Sequence, residues 1–236
     1  MSRRSAALVA VFGALVIASR IPFAAHQLWA WDSVLYARAL EDGFHVDFDL
    51  SEQRPQPPGY ILYLAFASVF RAAGSDANGA LVLVSIVASG VGAVALYLLA
   101  RRFTRPGPAA LAAAGFAFNP LVWMYSELAY PYVLLGALSV SLAAAFWHAR
   151  LAGGRGLFLA SAAFGLVAGF RQDLLLLLGP LWLWAAWPGP WRVRSVAAAW
   201  VAAGIVVWFI PTALLSGGLV GYLDSLSHQG AQVNST

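Results

Sequence analysis

A chain of 236 residues that is 61% hydrophobic and only 10% charged, with a mean hydropathy of +0.74, lies far outside the range of soluble domains and reads as a membrane protein. Its net charge of +4 comes from fourteen arginines against ten acids, with no lysine, and the arginines flank apolar segments, a signal of topology rather than of nucleic-acid binding. Cysteine is absent, which excludes disulfide frameworks and thiolate metal sites and leaves chemistry to carboxylates, histidine, arginine and tyrosine.

The first apolar run extends from about Ser5 to Ala24, behind Arg3 and Arg4. A signal peptide shares that basic start and apolar core, but this run is long and no small-x-small cleavage site follows it. Next comes the polar stretch "WDSVLYARALEDGFHVDFDLSEQRPQPPGYILYL", Trp31 to Leu64, where six of the ten acids fall between Asp32 and Glu52. Gly59 to Arg71 is apolar but only about 13 residues, or roughly 20 Å as a helix, too short for a confident crossing. Further spans are expected over Ala77 to Ala100, Pro108 to Tyr125, Tyr132 to Ala149, Leu157 to Phe170, Leu174 to Trp187 and Ser195 to Leu215. The expected fold is all-α: a polytopic membrane helix bundle of about seven transmembrane helices, with juxtamembrane helices in the first extracytoplasmic loop.

The positive-inside rule bears on the short segment. With a cytoplasmic N-terminus and Gly59 to Arg71 lying on the outer surface, opened by Pro57 and Pro58, the clusters Arg101, Arg102 and Arg105, then Arg150 and Arg155, then Arg192 and Arg194 all face the cytoplasm. If the segment crosses, all three land outside. The expected division is one multi-pass plasma-membrane module over residues 1–216, with its first extracytoplasmic loop at about 25–76, and an extracytoplasmic tail over 217–236 that would begin any further C-terminal region.

That topology gathers the remaining polar motifs on one face. Asp32, between Trp29, Trp31 and Tyr36, is either a helix N-cap or a functional carboxylate held at the membrane surface. Glu127, in "NPLVWMYSELAYPY", is a loop acid among Tyr125, Tyr130 and Tyr132. Arg171 and Asp173, in "GFRQD", are either a salt-bridged pair at a helix end or an anion site built on the planar guanidinium. His26, His45, His148 and His228 have no metal-ligand spacing, so no metal ligand is assigned; a divalent cation would need oxygen ligands such as Asp32 and Glu127. The glycines of "GVG" (Gly90 to Gly92) and "AGGRG" read as packing and loop residues.

The order of these motifs resembles the GT-C superfamily of polytopic glycosyltransferases, particularly bacterial relatives of protein O-mannosyltransferases and aminoarabinose transferases. The resemblance rests on a basic-flanked helix, "WD" in an outer loop, "QPPGYILYL", "LYLLARRFT", "FNPLVWMYSELAYPY" and "GFRQDLLLLLGPLWLW", and runs from about Ser5 to Leu215. It implies transfer of a sugar from a polyprenyl-phosphate carrier to an extracytoplasmic acceptor, whether lipid, glycan or protein. The matching positions make Asp32 the base or acceptor-binding acid, Glu127 a second acid of the catalytic set that helps bind acceptor or a divalent metal, and Arg171 the partner of the lipid-linked phosphate. Asp173, Arg54, Gln56, Tyr60 and Tyr130 complete the expected substrate-binding set. Two other readings stay open: a transporter or flippase whose path is lined by Arg171, Asp173 and Glu127, and a non-catalytic scaffold of the same fold.

Overall fold

A computed structural model describes residues 3–46 and 60–233, and these are all-helical apart from their connections. In chain order the helices are α1 (Arg3–Arg20, continued by a 3-10 turn at Ile21–Phe23), α2 (Trp31–Glu41), α3 (Ile61–Ala72), α4 (Ala77–Ala100), α5 (Pro106–Ala117), α6 (Pro120–Ser126), α7 (Tyr132–Ala152), α8 (Gly154–Val167), α9 (Leu174–Ala186), α10 (Trp191–Leu215) and α11 (Gly218–Val233). Their limits follow from local chemistry. Asp76 caps α4 by accepting the Gly79 N–H at 2.6 Å, and Asn119 caps α6 by accepting from Leu121 and Val122. Proline opens α5 and α6, where its missing N–H costs nothing. Gly153 and Gly154, both at positive φ, turn the chain between α7 and α8.

Four helices, α1 with its turn, α4, α7 and α10, are long and apolar enough to cross a membrane, and α5 with α6 makes a fifth if that pair is one span. About seven crossings were expected. The single span expected over Pro108 to Tyr125 is broken by a 56° bend, where Asn119 caps a new helix and Pro120 has no N–H to continue the old one. Helices α8 and α9 have 14 and 13 residues, or roughly 20 Å each against a hydrocarbon core of about 30 Å, so length alone does not make them crossings.

Contacts fix the helix directions. The Asn78 side chain donates to the Ala25 carbonyl at 2.7 Å, while a Cβ at Gly90 would meet Ile17 and Gly13, so α1 and α4 are antiparallel. Ser85 donates to the Tyr130 carbonyl at 2.8 Å and Gly92 lies against Ala137, so α4 and α7 run parallel. Gly204 faces Ala162 and Trp208 faces Gly169, which makes α8 and α10 parallel too. These last two touch so closely that a Cβ at Gly165 would lie 2.0 Å from the Val201 carbonyl oxygen. The Trp208 indole seals the contact by donating to the Gly165 carbonyl at 3.0 Å.

The bundle therefore has two chemically distinct ends. One gathers Arg101, Arg102, Arg105 and Arg150, with Phe103 packed on Trp147 at 4.5 Å and Trp147 stacked on Trp184. The other gathers α2, α3, the α6–α7 and α8–α9 connections and α11. Helix α3 stays at this second end: Leu62 donates to the Gly169 carbonyl, Phe66 packs on Phe170, and the helix is only about 18 Å long. Within the segment 217–236, Gly218–Val233 form α11, anchored by buried Tyr222, whose ring meets Phe209 and whose hydroxyl accepts from Gln172 at 2.7 Å.

Candidate functional site

Helix α2 begins at Trp31, and its N-cap is Ala30, which offers no side-chain bond. Asp32 is thus not the cap that its position suggested. It sits in the first helical turn, where the unsatisfied N–H groups favour negative charge while leaving the carboxylate free for other work. The next residue ties the helix down, since buried Ser33 donates to the Ala129 carbonyl at 3.0 Å. Asp32 is half-buried and makes no hydrogen bond or ion pair with any described residue. Burial pushes its pKa up, so ionisation is harder than for a free aspartate.

Three tyrosines feel the Asp32 charge: Tyr36, Tyr60 and Tyr130. Tyr36 lies one turn along α2, buried, with its ring 5.3 Å from those of both Tyr60 and Tyr63. Burial, followed by Tyr60 and Asp32, raises its pKa well above the usual phenol value. Tyr60, which precedes α3, adopts the left-handed conformation (φ 47°, ψ 38°), uncommon for a residue with a Cβ and often found at working sites. Burial raises the Tyr60 pKa, and the positive charge of Arg171 opposes the shift. Tyr130 completes the wall, stacked on Tyr132 at 5.1 Å with Tyr125 edge-on to both.

Arg171 enters through the bond from Leu62 to Gly169, which brings the start of α3 against the α8–α9 connection. Its Nε lies 2.8 Å from Asp173 Oδ2, and both side chains remain partly exposed. Arg171 therefore has an acidic partner and also faces Tyr60. The structure thus brings Asp32, Tyr60, Tyr130, Arg171 and Asp173 into one neighbourhood at the end of the bundle.

Glu127 belongs to a different cluster. It is the C-cap residue of α6, and its backbone carbonyl accepts from Ala25 at 2.9 Å. Burial raises its pKa, while the positive charge of Arg20 acts against that shift; one carboxylate oxygen is buried without a hydrogen-bond partner. Arg20 is the residue that the sequence reading missed. It has no solvent exposure, its guanidinium lies 3.5 Å from the centre of the Trp123 ring, and it donates to the Ala117 carbonyl. An arginine at the end of an otherwise apolar first helix was the available signal, since a membrane-embedded cation needs a partner.

Arg54 and Gln56 lie outside the described residues. Among those described, no three His, Asp or Glu side chains converge as metal ligands, and Asp32 and Glu127 keep different neighbours. His45 bonds the Asp42 carbonyl and His228 faces Asp224. The arrangement offers a carboxylate able to accept a proton, a phenol beside it, a guanidinium with affinity for an anion, and an aromatic wall. No protein-family model, no curated protein and no solved structure matches the chain.

Proposed function

We propose that the chain is the transmembrane module of a membrane glycosyltransferase of the GT-C type, which moves a sugar from a polyprenyl-phosphate carrier to an acceptor on the extracytoplasmic face. The observation that carries this reading is the unpartnered, half-buried Asp32 carboxylate, set among Tyr36, Tyr60 and Tyr130 with Arg171 facing Tyr60 from across the cluster. A sugar phosphate needs a cation where the leaving group gathers charge and a base where the acceptor loses its proton.

In this mechanism Asp32 takes the proton from the acceptor hydroxyl or amine as the acceptor oxygen or nitrogen bonds to the anomeric carbon. The bond from that carbon to the carrier phosphate breaks with its electron pair, and Arg171 receives the phosphate, exchanging part of its contact with Asp173. Tyr60, between acid and cation, orients the sugar, and the Tyr130–Tyr132 stack offers it an apolar face. Helices α8 and α9 complete about seven crossings, and the arginine end faces the cytoplasm as the positive-inside rule requires. A transporter would place its ionisable groups near the midplane of broken helices. Here Asp32, Arg171 and Asp173 gather at one end.

The test is turnover by the full chain in proteoliposomes, read as release of polyprenyl phosphate from a polyprenyl-phosphate-linked sugar. Release that falls at least about 100-fold in Asp32→Asn supports the reading. Release at the native rate would sink it. Orientation is read separately with an impermeant maleimide on single cysteines at Gln27 and Ser195, exposed sites at opposite ends; labelling at Ser195 alone overturns the proposed sidedness.

A further inference from the structure

At the arginine end a groove of about 360 Å³ opens between α4, α7 and α9, walled by Leu99, Phe103, Ala143, Trp147, Leu181 and Trp184. Among the described residues no charged side chain lines it. Its volume lies in the range of small-molecule sites. The Arg150 guanidinium sits at its rim, 4.4 Å from the centre of the Trp184 ring and bonded to the Trp184 carbonyl. Exposed Arg101 and Arg102 lie between Leu99 and Phe103, two of the walls, and Arg102 has no acidic partner among the described residues. Nine of the fourteen arginines belong to helix ends on this side, whereas every described acid, from Asp32 to Asp224, belongs to the opposite end.

We propose that this groove seats an acyl chain of an anionic phospholipid, whose headgroup phosphate is bound by Arg102 and Arg150. The dry aromatic walls suit a hydrocarbon chain and would reject a free phosphate or a sugar. The rim supplies fixed positive charge with no competing carboxylate among the described residues, the combination that recognises an anionic headgroup between membrane helices. Arg150 is held in place by its stacking and its bond to the Trp184 carbonyl, so its charge is positioned before the lipid arrives. The inference rests on membrane embedding and is independent of the transferase reading.

The experiment is native mass spectrometry of the full chain in detergent, offered equimolar dioleoyl phosphatidylglycerol and dioleoyl phosphatidylcholine. The expected result is retention of phosphatidylglycerol over phosphatidylcholine by about fivefold for each arginine engaged. Arg102→Gln with Arg150→Gln is expected to erase most of that preference without lowering total lipid, and Ala143→Trp, which fills the groove, to lower both lipids. Equal retention of the two lipids by the native chain overturns the proposal, and this competition decides even if Ala143→Trp does not fold. Undiminished binding in a folded Ala143→Trp chain, or chain dimers that exclude lipid, also overturns it.

Discussion

Replacing Arg20 by methionine tests the latch at the end of the first helix. The exchange keeps an apolar stem of similar reach and removes the guanidinium, which has no solvent exposure, lies 3.5 Å from the Trp123 ring centre and bonds the Ala117 carbonyl. A desolvated cation–π contact is worth about 2 kcal/mol and a hydrogen bond from a charged group about 1.5–3 kcal/mol. Relief from burying a charge offsets part of that sum, and Glu127, left without its cation, adds to the loss. Because Glu127 is partly exposed and makes no direct ion pair with Arg20, the net cost is set mainly by the lost stacking and hydrogen bond, about 3 kcal/mol. For a chain of this size that is a fall of about 6–12 °C in Tm, measurable in mild detergent through tryptophan fluorescence. In a Glu127→Gln background the same exchange should cost about 1 kcal/mol less, because no orphaned charge remains. Arg20→Lys should recover little, since an ammonium lacks the planar face that stacks on indole. An unchanged Tm, or an equal loss in both backgrounds, would refute the coupling of Arg20 to Glu127.

Gly165→Ala should cost about 3 kcal/mol, the upper end for overpacking, because the new methyl meets backbone atoms of Val201 that no rotamer change can move; Gly115→Ala, with open space around it, should be neutral in the same melts. The pH dependence of Asp32 has a definite sign. Burial raises its folded pKa above 3.8, so its contribution to stability is full below about 3.8 and declines as pH rises through the raised value. Asp32→Asn should therefore gain stability over the native chain towards neutral pH while losing transferase turnover, and melts between about pH 3 and 8 that diverge in the opposite direction would exclude this account. Arg171→Lys keeps the charge but loses the fork that receives the leaving phosphate, so kcat with the lipid-linked sugar should fall more than KM rises. Tyr222→Phe removes the bond from Gln172, with a loss of about 1 kcal/mol, and should speed protease cleavage of α11.

Much of the architecture was legible because the bilayer imposes its pattern on composition. Long apolar runs with basic residues at one end marked α1, α4, α7 and α10, and "GVG" was correctly a packing element, with Gly90 against Ile17 and Gly13. The break inside Pro108 to Tyr125 was written in Asn119-Pro120, yet the apolar content on both sides hid it. The α2 boundary moved because capping is decided by backbone geometry: Ala30 is extended while Asp32 is already helical. Helix α11 was obscured by its polar residues, and its order comes from one tyrosine contact with α10 and one with the α8–α9 connection. Asp32, Tyr60, Tyr130 and Arg171 stood out by residue type, but their grouping depends on α3 folding back onto Gly169, a tertiary event without a local signature. Glu127 looked equivalent to Asp32, and only the depth of Arg20 separates their roles.

The basic end of the bundle is built from arginine alone, and this affects how permanent its charge is. A lysine-rich end would lose charge where burial lowers an ammonium pKa, or wherever acetylation neutralises an amine. Guanidinium groups stay protonated across the physiological range and offer no amine to acetylate. A chain inserted with this end against one leaflet thus carries an orientation mark that neither local acidity nor acetyl transfer can erase. In a bilayer, turning such a chain over would require moving nine fixed charges through the hydrocarbon, so a sidedness set during insertion would be kept.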